Sequence, residues 1–396
     1  MSEWKKCTIG DMVTLRQGFA INAKSKHYIS KEPTSLALLR IADMKSGSRE
    51  IYVKEDIPIN FIAQPQDIVY TRTGNVGLVF RNNYGVVHNN CFTVTPNDAR
   101  VLSRDFLYYL LQSKYFFEKA NSLARGAAQP DLPHSLFNSI EISYPELDCQ
   151  QRIATILSRY DSLIENYQKQ IKLLEEAAQR LYKEWFVDLH FPGHENTKIV
   201  DGVPEGWEKK KVGEIGKVIT GKTPSTANKE NYGGRIPFIT IPDMHTGIYP
   251  TSSQFLSDLG ANSQSAKFIP VNSLMVSCIG TAGLVCITKE KCQTNQQINS
   301  LVLNDTSLLY YLYNTFLSLK EHLNNIGSNG ATMTNVNKSK FESIDVLIPK
   351  TSISCMYNEA VEQAFISIKI LSSQIRLLTE ARDRLLLKLM SGEIAV

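Results

Sequence analysis

Gly216, Gly221, Lys222 and Thr223 stand at the spacing G-x4-G-K-T, the pattern of a loop that cradles nucleotide phosphates on its backbone N–H groups. That chemistry needs an apolar strand before the loop and a helix opening at the Lys-Thr pair. Here KKKVGEI precedes the loop, and Pro224-Ser225-Thr226-Ala227-Asn228 follows it without apolar periodicity. Nucleotide binding is not expected, although this loop is the strongest case for a standalone enzyme. His190 and His194 lie four apart, a metal-ligand spacing on a helix, but Pro192 and Gly193 break any helix between them. They read as turn residues. Cys7, Cys91, Cys149, Cys278, Cys286, Cys292 and Cys355 form no Cys-x-x-Cys pair. Scattered thiols of this kind fit a reducing cytosol better than a disulfide framework or a zinc site. No Asn-Pro-Pro-Tyr or Asp-Pro-Pro-Tyr methyl-transfer motif occurs, nor a Pro-Asp followed by a Glu-x-Lys suited to nuclease metals. No cofactor, metal or catalytic residue is expected.

The elements that would position any site come in two copies. Trp4 to Gly18 reads WKKCTIGDMVTLRQG, and Trp207 to Gly221 reads WEKKKVGEIGKVITG. Ile41-Ala42-Asp43-Met44 then meets Ile241-Pro242-Asp243-Met244, and Gly74-Asn75-Val76-Gly77-Leu78-Val79 meets Gly280-Thr281-Ala282-Gly283-Leu284-Val285. Asn89 answers Asn295, Gly126-Ala127 answers Gly330-Ala331, and Phe137, Ile140 and Pro145 answer Phe341, Ile344 and Pro349. A period of this length lies far above that of solenoids and propellers, so the chain is an internal duplication of domain-sized units. With 396 residues, 43% apolar and 21% charged, it can bury two or three cores. A formal net charge of +4 hints only mildly at an anionic partner. The start, MSEWKKCTIGDM, has no secretory apolar region, and no run of 18 apolar residues occurs. A cytoplasmic protein without a membrane partner is expected.

Each copy closes in a heptad helix. Apolar positions run Ile153, Leu157, Tyr160, Ile164, Tyr167, Ile171, Leu174, Ala178, Leu181 and Trp185 in alternating steps of four and three. The second seam runs Ala364, Ile368, Leu371, Ile375, Leu378, Arg382, Leu385 and Leu389 in the same register, with Arg382 alone breaking the apolar rule. Two amphipathic helices on unrelated cores would also give apolar stripes. The shared register favours helices that pair with each other, or with partner helices, as a coiled coil. Pro145 and Phe191-Pro192-Gly193 bound the first helix, and the Gly/Pro-rich stretch 193–206 reads as a linker. Short strand-like runs (QDIVYTRTG, GLVFR, SIEISYP) and a helical piece from Asp105 to Asn121 fill the globular parts. They give mixed α+β domains with strongly bent sheets.

Two globular units, each closed by a long heptad helix, resemble the specificity subunits of Type I restriction-modification systems. Local motifs agree: Asp67-Ile-Val-Tyr-Thr-Arg-Thr-Gly74-Asn-Val-Gly77 and Ser273-Leu-Met-Val-Ser-Cys-Ile-Gly280-Thr-Ala-Gly283 match the family's strand, loop and G-x-x-G. GAAQPDLP at 126–133 and GATMTNVN at 330–337 match the segment before its last strand. Gln150-Gln151 stands where the family's helix opens with Glu-Gln, while TSISCMYNE at 351–359 has no counterpart. The resemblance implies an α+β fold with two tandem target-recognition domains, at 1–149 and 207–352. Long spacer helices follow at 150–191 and 353–396, joined by a linker at 192–206. It implies that the helices pair as an antiparallel coiled coil about a pseudo-two-fold axis. It also implies a non-catalytic subunit that reads a bipartite double-stranded DNA target, one half-site per domain. Two methyltransferase (modification) subunits and restriction/translocase subunits would dock on it. Ile153 to Trp185 spans about 48 Å at 1.5 Å per residue, or about 14 base pairs between domain centres. A structural coiled-coil dimeriser without a DNA role is the remaining alternative.

Base edges are read by Asn, Gln, Arg, Lys, Ser and Thr, while basic groups hold phosphates. In the first unit the DNA-binding candidates are Thr71, Arg72, Thr73, Asn75, Asn89, Asn90, Arg125 and Gln129. In the second they are Ser277, Thr281, Asn295, Gln296, Gln297, Asn329, Thr332 and Thr334, with Lys209, Lys210, Lys211 and Lys222 for phosphates. Partner docking and the coiled coil fall to the seam residues, Ala178, Ala364 and Arg382 apart. The copies differ where readout would occur: Arg72 against Cys278, Gln129 against Met333.

Overall fold

The computed structural model describes residues 4–328 and 335–396. Two compact units divide the chain: Met1–Leu163 with Leu378–Val396, and Ile164–Leu377. Each long helix therefore contributes one part to each unit.

In the first unit β1 (Lys5–Thr8) pairs antiparallel with β6 (Glu141–Tyr144). A four-stranded sheet has the order β2 (Val13–Gln17), β5 (Cys91–Pro96), β3 (Ile68–Thr71), β4 (Val79–Phe80). The second unit repeats both. There β7 (Glu208–Lys211) pairs with β12 (Asp345–Ile348), and the order is β8 (Gly216–Thr220), β11 (Ile298–Leu303), β9 (Leu274–Ser277), β10 (Val285–Ile287). Both β3 and β9 are buried along their whole length, so each reads as three apolar residues in a row, closed by a buried hydroxyl, rather than as an alternation. Beside this shared frame the first unit carries a mixed five-stranded sheet whose parallel contact is Leu38 with Val86. The second unit has a three-stranded counterpart with Phe238 parallel to Gln293.

The core of the first unit gathers on the β3 side. Phe137 lies 5.1 Å from Tyr70, 5.0 Å from Phe92 and 5.4 Å from Phe116, ring to ring. Such edge-to-face contacts add to the area they bury. Two short helices cover it, α1 (Arg104–Gln112) and α2 (Lys114–Leu123), separated at Ser113, whose hydroxyl caps α2 through the Phe116 N–H. In the second unit α4 (Leu309–Ser318) and α5 (Lys320–Ser328) take this place.

The long helices are α3 (Leu147–Tyr182) and α6 (Thr351–Met390). A single π turn, Lys183–Val187, ends α3 ahead of buried Phe191. Every seam residue of both helices is buried or half-buried. Ile153, Leu157 and Leu389 join the core of the first unit, with Leu385 packed against it. Ile368 joins that of the second, with Ile171, Leu174, Leu181 and Trp185 packed against it. Gln150 is fully buried: its Nε2 donates to the carbonyls of Val101 and Pro145 (both 2.9 Å), and its Oε1 accepts from the Ser103 N–H (2.9 Å). That fastens the root of α3 to the first core.

Arg382, the break in the second seam, has a partner. Its Nη1 donates to Asp161 Oδ1 at 2.9 Å, while Asp161 Oδ2 accepts from the Tyr109 hydroxyl at 2.6 Å and from Arg81 Nη2 at 3.0 Å. Arg81 also lies over the Tyr108 ring at 4.2 Å. Among the described residues no helix is long and apolar enough to cross a membrane.

Candidate nucleic-acid interface

At the end of β3 the chain turns at Arg72–Gly77 and returns as β4. Thr71 closes the turn: its N–H donates to Leu78 O (3.0 Å), its hydroxyl oxygen accepts from the Leu78 N–H (2.9 Å), and the same hydroxyl donates to Asn75 O. Gly74 and Gly77 have φ of +82° and +95°, conformations open to glycine and costly for other residues. A side chain at Gly77 would meet the Phe117 ring at 2.6 Å. Two other segments are laced to this turn. The Arg72 and Thr73 N–H groups donate to Asn90 O (2.8 and 3.2 Å), Gly74 N–H to Pro130 O (2.8 Å), and Leu132 N–H to Arg72 O (2.9 Å). Every candidate of the first unit thus falls in one cluster of loops, 71–75, 88–90 and 125–131. Asn75, Arg125 and Gln129 are exposed, Arg72, Thr73, Asn89 and Asn90 half-buried, and Thr71 buried as the closure of the turn.

Inside this cluster Arg72 is held on three sides. Its Nε and Nη2 donate to Asp131 Oδ1 and Oδ2 at 3.1 and 2.7 Å, and its Nη1 donates to Gln17 Oε1 at 3.2 Å. The Thr73 hydroxyl donates to Asp131 Oδ1 at 2.5 Å. Gln17 is fixed in turn by Nε2 donating to Asn89 O at 2.8 Å. The arginine, chiefly through its hydrogen bonds, holds the Asp131 carboxyl below its ordinary range, so that carboxyl stays ionised.

The second unit repeats the main bonds of this frame. Ser277 N–H donates to Leu284 O (2.9 Å), its hydroxyl oxygen accepts from the Leu284 N–H (2.8 Å), and Gly283 N–H donates to Ser277 O (3.0 Å). Cys278 N–H donates to Gln297 O (2.8 Å) and Val336 N–H to Cys278 O (2.9 Å), as Arg72 and Leu132 do in the first. The side chains differ. Cys278 is 1% exposed, and burial pushes its thiol up to about 11. Asn295 Nδ2 donates to Gln297 Oε1 at 3.0 Å, and the Thr223 hydroxyl to Gln296 Oε1 at 2.6 Å. Thr281 and Lys222 are exposed on the same loops, and Ser277 is buried. Asn329, Thr332 and Thr334 lie outside the described residues.

Lys209, Lys210 and Lys211 are not brought to this cluster. They sit on β7, in the other sheet, with Lys209 on Asp345 (3.3 Å) and Lys210 on Glu208 (2.8 Å). The phosphate-loop spacing dissolves as well: Gly216–Thr220 is β8, and no helix opens at Lys222-Thr223. The His190 and His194 rings stand 5.3 Å apart, with Nδ1 engaged by Glu184 and by Phe191 O. Among the described residues no group of three or more His, Cys, Asp or Glu could hold a metal ion. Sequence reading missed Gln17, Asp131 and Thr223. Gln17 adjoins the repeated Gly18, and Asp131 lies in the GAAQPDLP segment, but nothing local pairs either with Arg72.

A family model for the Type I restriction modification DNA specificity domain matches residues 1–176 and 204–380. An alignment of 473 residues gives 30% identity to the Type I restriction enzyme HindI specificity subunit of Haemophilus influenzae, covering both chains in full. The Type I restriction enzyme MjaIX specificity subunit of Methanocaldococcus jannaschii is 28% identical over 411 residues, 100% of this chain and 94% of that one. The crystal structure of a Type I restriction-modification S subunit from M. genitalium shares the fold, with a TM-score of 0.63 at 18% identity over 98% of this chain and 96% of that chain.

Proposed function

The chain belongs to the Type I restriction-modification DNA specificity family, and from that premise we propose that it reads a bipartite double-stranded DNA target, one half-site per loop cluster. As a specificity subunit it performs no chemistry of its own. The observation that carries the proposal is the repeated turn, in which Thr71 and Ser277 make the same bonds, by N–H and by hydroxyl, to the backbone of Leu78 and Leu284 beneath different loop side chains. A frame held by backbone bonds leaves its side chains free to differ, as the reading of two unlike half-sites requires. Recognition domains at 1–149 and 207–352, spacer helices at 150–191 and 353–396, and a linker at 192–206 carry this division of labour.

In the first cluster Arg72, Thr73, Asn75, Asn89, Asn90, Arg125 and Gln129 meet the duplex. In the second Thr281, Asn295, Gln296, Gln297, Asn329, Thr332 and Thr334 do so, with Lys222 on phosphate. Thr71 and Ser277 act through the turn they close. Lys209 and Lys210 contact phosphate only by giving up Asp345 and Glu208, and Lys211, exposed beside them, contacts it directly. The two heptad helices pair antiparallel as a coiled coil, on which two methyltransferase subunits dock and restriction subunits assemble. Support comes from within each unit, where Arg382 meets Asp161 and the Tyr357 hydroxyl donates to Ala178 O at 3.2 Å.

The test is to co-express the chain with the methyltransferase subunit of its own genome in a methylation-free host and map the methylated sequences. Two short specific blocks around a fixed gap are expected, and Asn75→Ala should alter one block only. An assembled complex that methylates nothing, or an unsplit motif, would falsify the reading.

A further inference from the structure

We propose that Arg72 reads a guanine in the half-site of the first unit, with Asp131 and Gln17 as the positioning residues that aim it. The inference rests on the DNA reading above and names the base. Arg72 is 21% exposed and Asp131 36%, so the pair lies at the surface, where ion pairs add little to stability. Yet the pair is braced by two further side chains, Thr73 on the carboxylate and Gln17 on the guanidinium. Bracing on that scale fixes a direction rather than a fold.

The donor count identifies the acceptor. A guanidinium has five N–H donors in a rigid plane. Asp131 and Gln17 take one hydrogen from each nitrogen, which leaves one on Nη1 and one on Nη2. Donors on these two neighbouring nitrogens suit the O6 and N7 acceptors of guanine in the major groove. Adenine sets a donor beside its acceptor there, and cytosine presents a donor. A phosphate would also accept two bonds, but the Asp131 carboxylate would then face a second anion at close range. A neutral base edge carries no such penalty. In the second unit Cys278 holds the place of Arg72, and Asn335 bridges to Ile279 as Asp131 bridges to Thr73. At this position the guanine reader therefore belongs to the first block alone.

The experiment extends the methylation map, using the assembled complex of the full chain with its methyltransferase. The block altered by Asn75→Ala should contain a guanine. Arg72→Ala should relax that one position, with preference for guanine falling roughly ten- to a hundredfold, while its neighbours and the other block hold. Asp131→Asn should relax the same position by less. A parallel measurement needs no variant. Wild-type complex is titrated with duplexes in which each guanine of the block is replaced in turn by 7-deazaguanine, which lacks the N7 acceptor. Affinity should fall at one guanine only. A first block without guanine, no response to any 7-deaza substitution, or a loss with Arg72→Ala that is equal on all sequences would overturn the inference. The last result would mark a phosphate contact. Each of these leaves a split motif standing, whereas the absence of any split motif overturns the DNA reading itself.

Discussion

At two corresponding places the units solve one packing problem with different chemistry. In the first unit Asp161, Arg382, Arg81 and the Tyr109 hydroxyl form an ionic cluster where the helices meet the core. At the matching positions the second unit has Phe365, Ala178, Ile287 and Tyr313, and Phe365 packs edge-on to Tyr313 at 5.6 Å and stacks on Tyr310 at 4.1 Å. The loops differ in the same sense: a braced guanidinium in the first, a buried thiol in the second. Backbone geometry is shared across the duplication, and side-chain chemistry is not. A buried ion pair gains little over well-packed apolar side chains, but removing one member leaves a charge uncompensated. The two units should therefore respond unequally to single changes and alike to wholesale exchange.

The largest effect is expected at Asp161, which is 11% exposed between two arginines. Asp161→Asn keeps the shape, takes from Arg81 its carboxylate and leaves Arg382 with Asp383 alone, at about 3 kcal/mol. Hydrogen exchange over Arg104–Gln112 should accelerate accordingly, while exchange over Leu309–Ser318 stays as it was. The triple exchange Asp161→Phe, Arg382→Ala, Arg81→Ile installs the second unit's chemistry and should cost less than the single change. A triple variant less stable than Asp161→Asn would show that the two solutions are not interchangeable.

Next come Gly18 and Gly221, where the frame predicts equal damage. An alanine Cβ would lie 2.3 Å from His88 O at the first and 2.1 Å from Asn295 O at the second. Backbone atoms cannot step aside as a flexible side chain can, so each substitution should cost about 2–3 kcal/mol. A urea midpoint lowered by one and untouched by the other would break the equivalence of the frames. Gln150 and Ser354, at matching positions in the helix roots, test it more finely. Gln150→Ala leaves the Ser103 N–H and two carbonyls without their partner, at about 2 kcal/mol. Ser354, whose hydroxyl donates to Thr351 O (3.0 Å), should cost under about 1 kcal/mol as alanine.

What could be read from the sequence is what repeats locally. The heptad steps of Ile153 to Trp185, the glycines of the Gly74–Gly77 turn and each Trp-to-Gly segment are patterns written along one continuous stretch of chain, legible in either copy. Partners that folding brings from afar left no such mark. Asp131 is 59 residues from Arg72, Gln17 is 55 away, and Asp161 is 221 from Arg382. From sequence, Arg382 was only a fault in a seam. Nor does the run Lys209 to Lys211 show locally that Asp345, on a strand far along the chain, lies beside it. The five-stranded sheet of the first unit escaped because its strands are two to four residues long, too short for alternation to register.

The smallest effect should come from Cys278, which stands where Arg72 stands in the first unit. It is 1% exposed, its thiol lies 3.4 Å from Val276 O, and burial pushes its pKa up to about 11. Because the thiolate is the reactive form, raising the folded pKa suppresses reaction at every pH below it. At pH 8 the folded protein should alkylate Cys278 roughly a hundredfold more slowly than an ordinary thiol. Cys149 and Cys355, both partly exposed, should label first. Methylation at the second block should survive that labelling, because a thiol packed beneath the loop contributes nothing to the surface a duplex meets. Rapid modification of Cys278 together with loss of the second block would place the thiol on the recognition surface. The contrast between a reading guanidinium and a silent thiol would then be wrong, and the two loops would have to be compared as alternative readers instead.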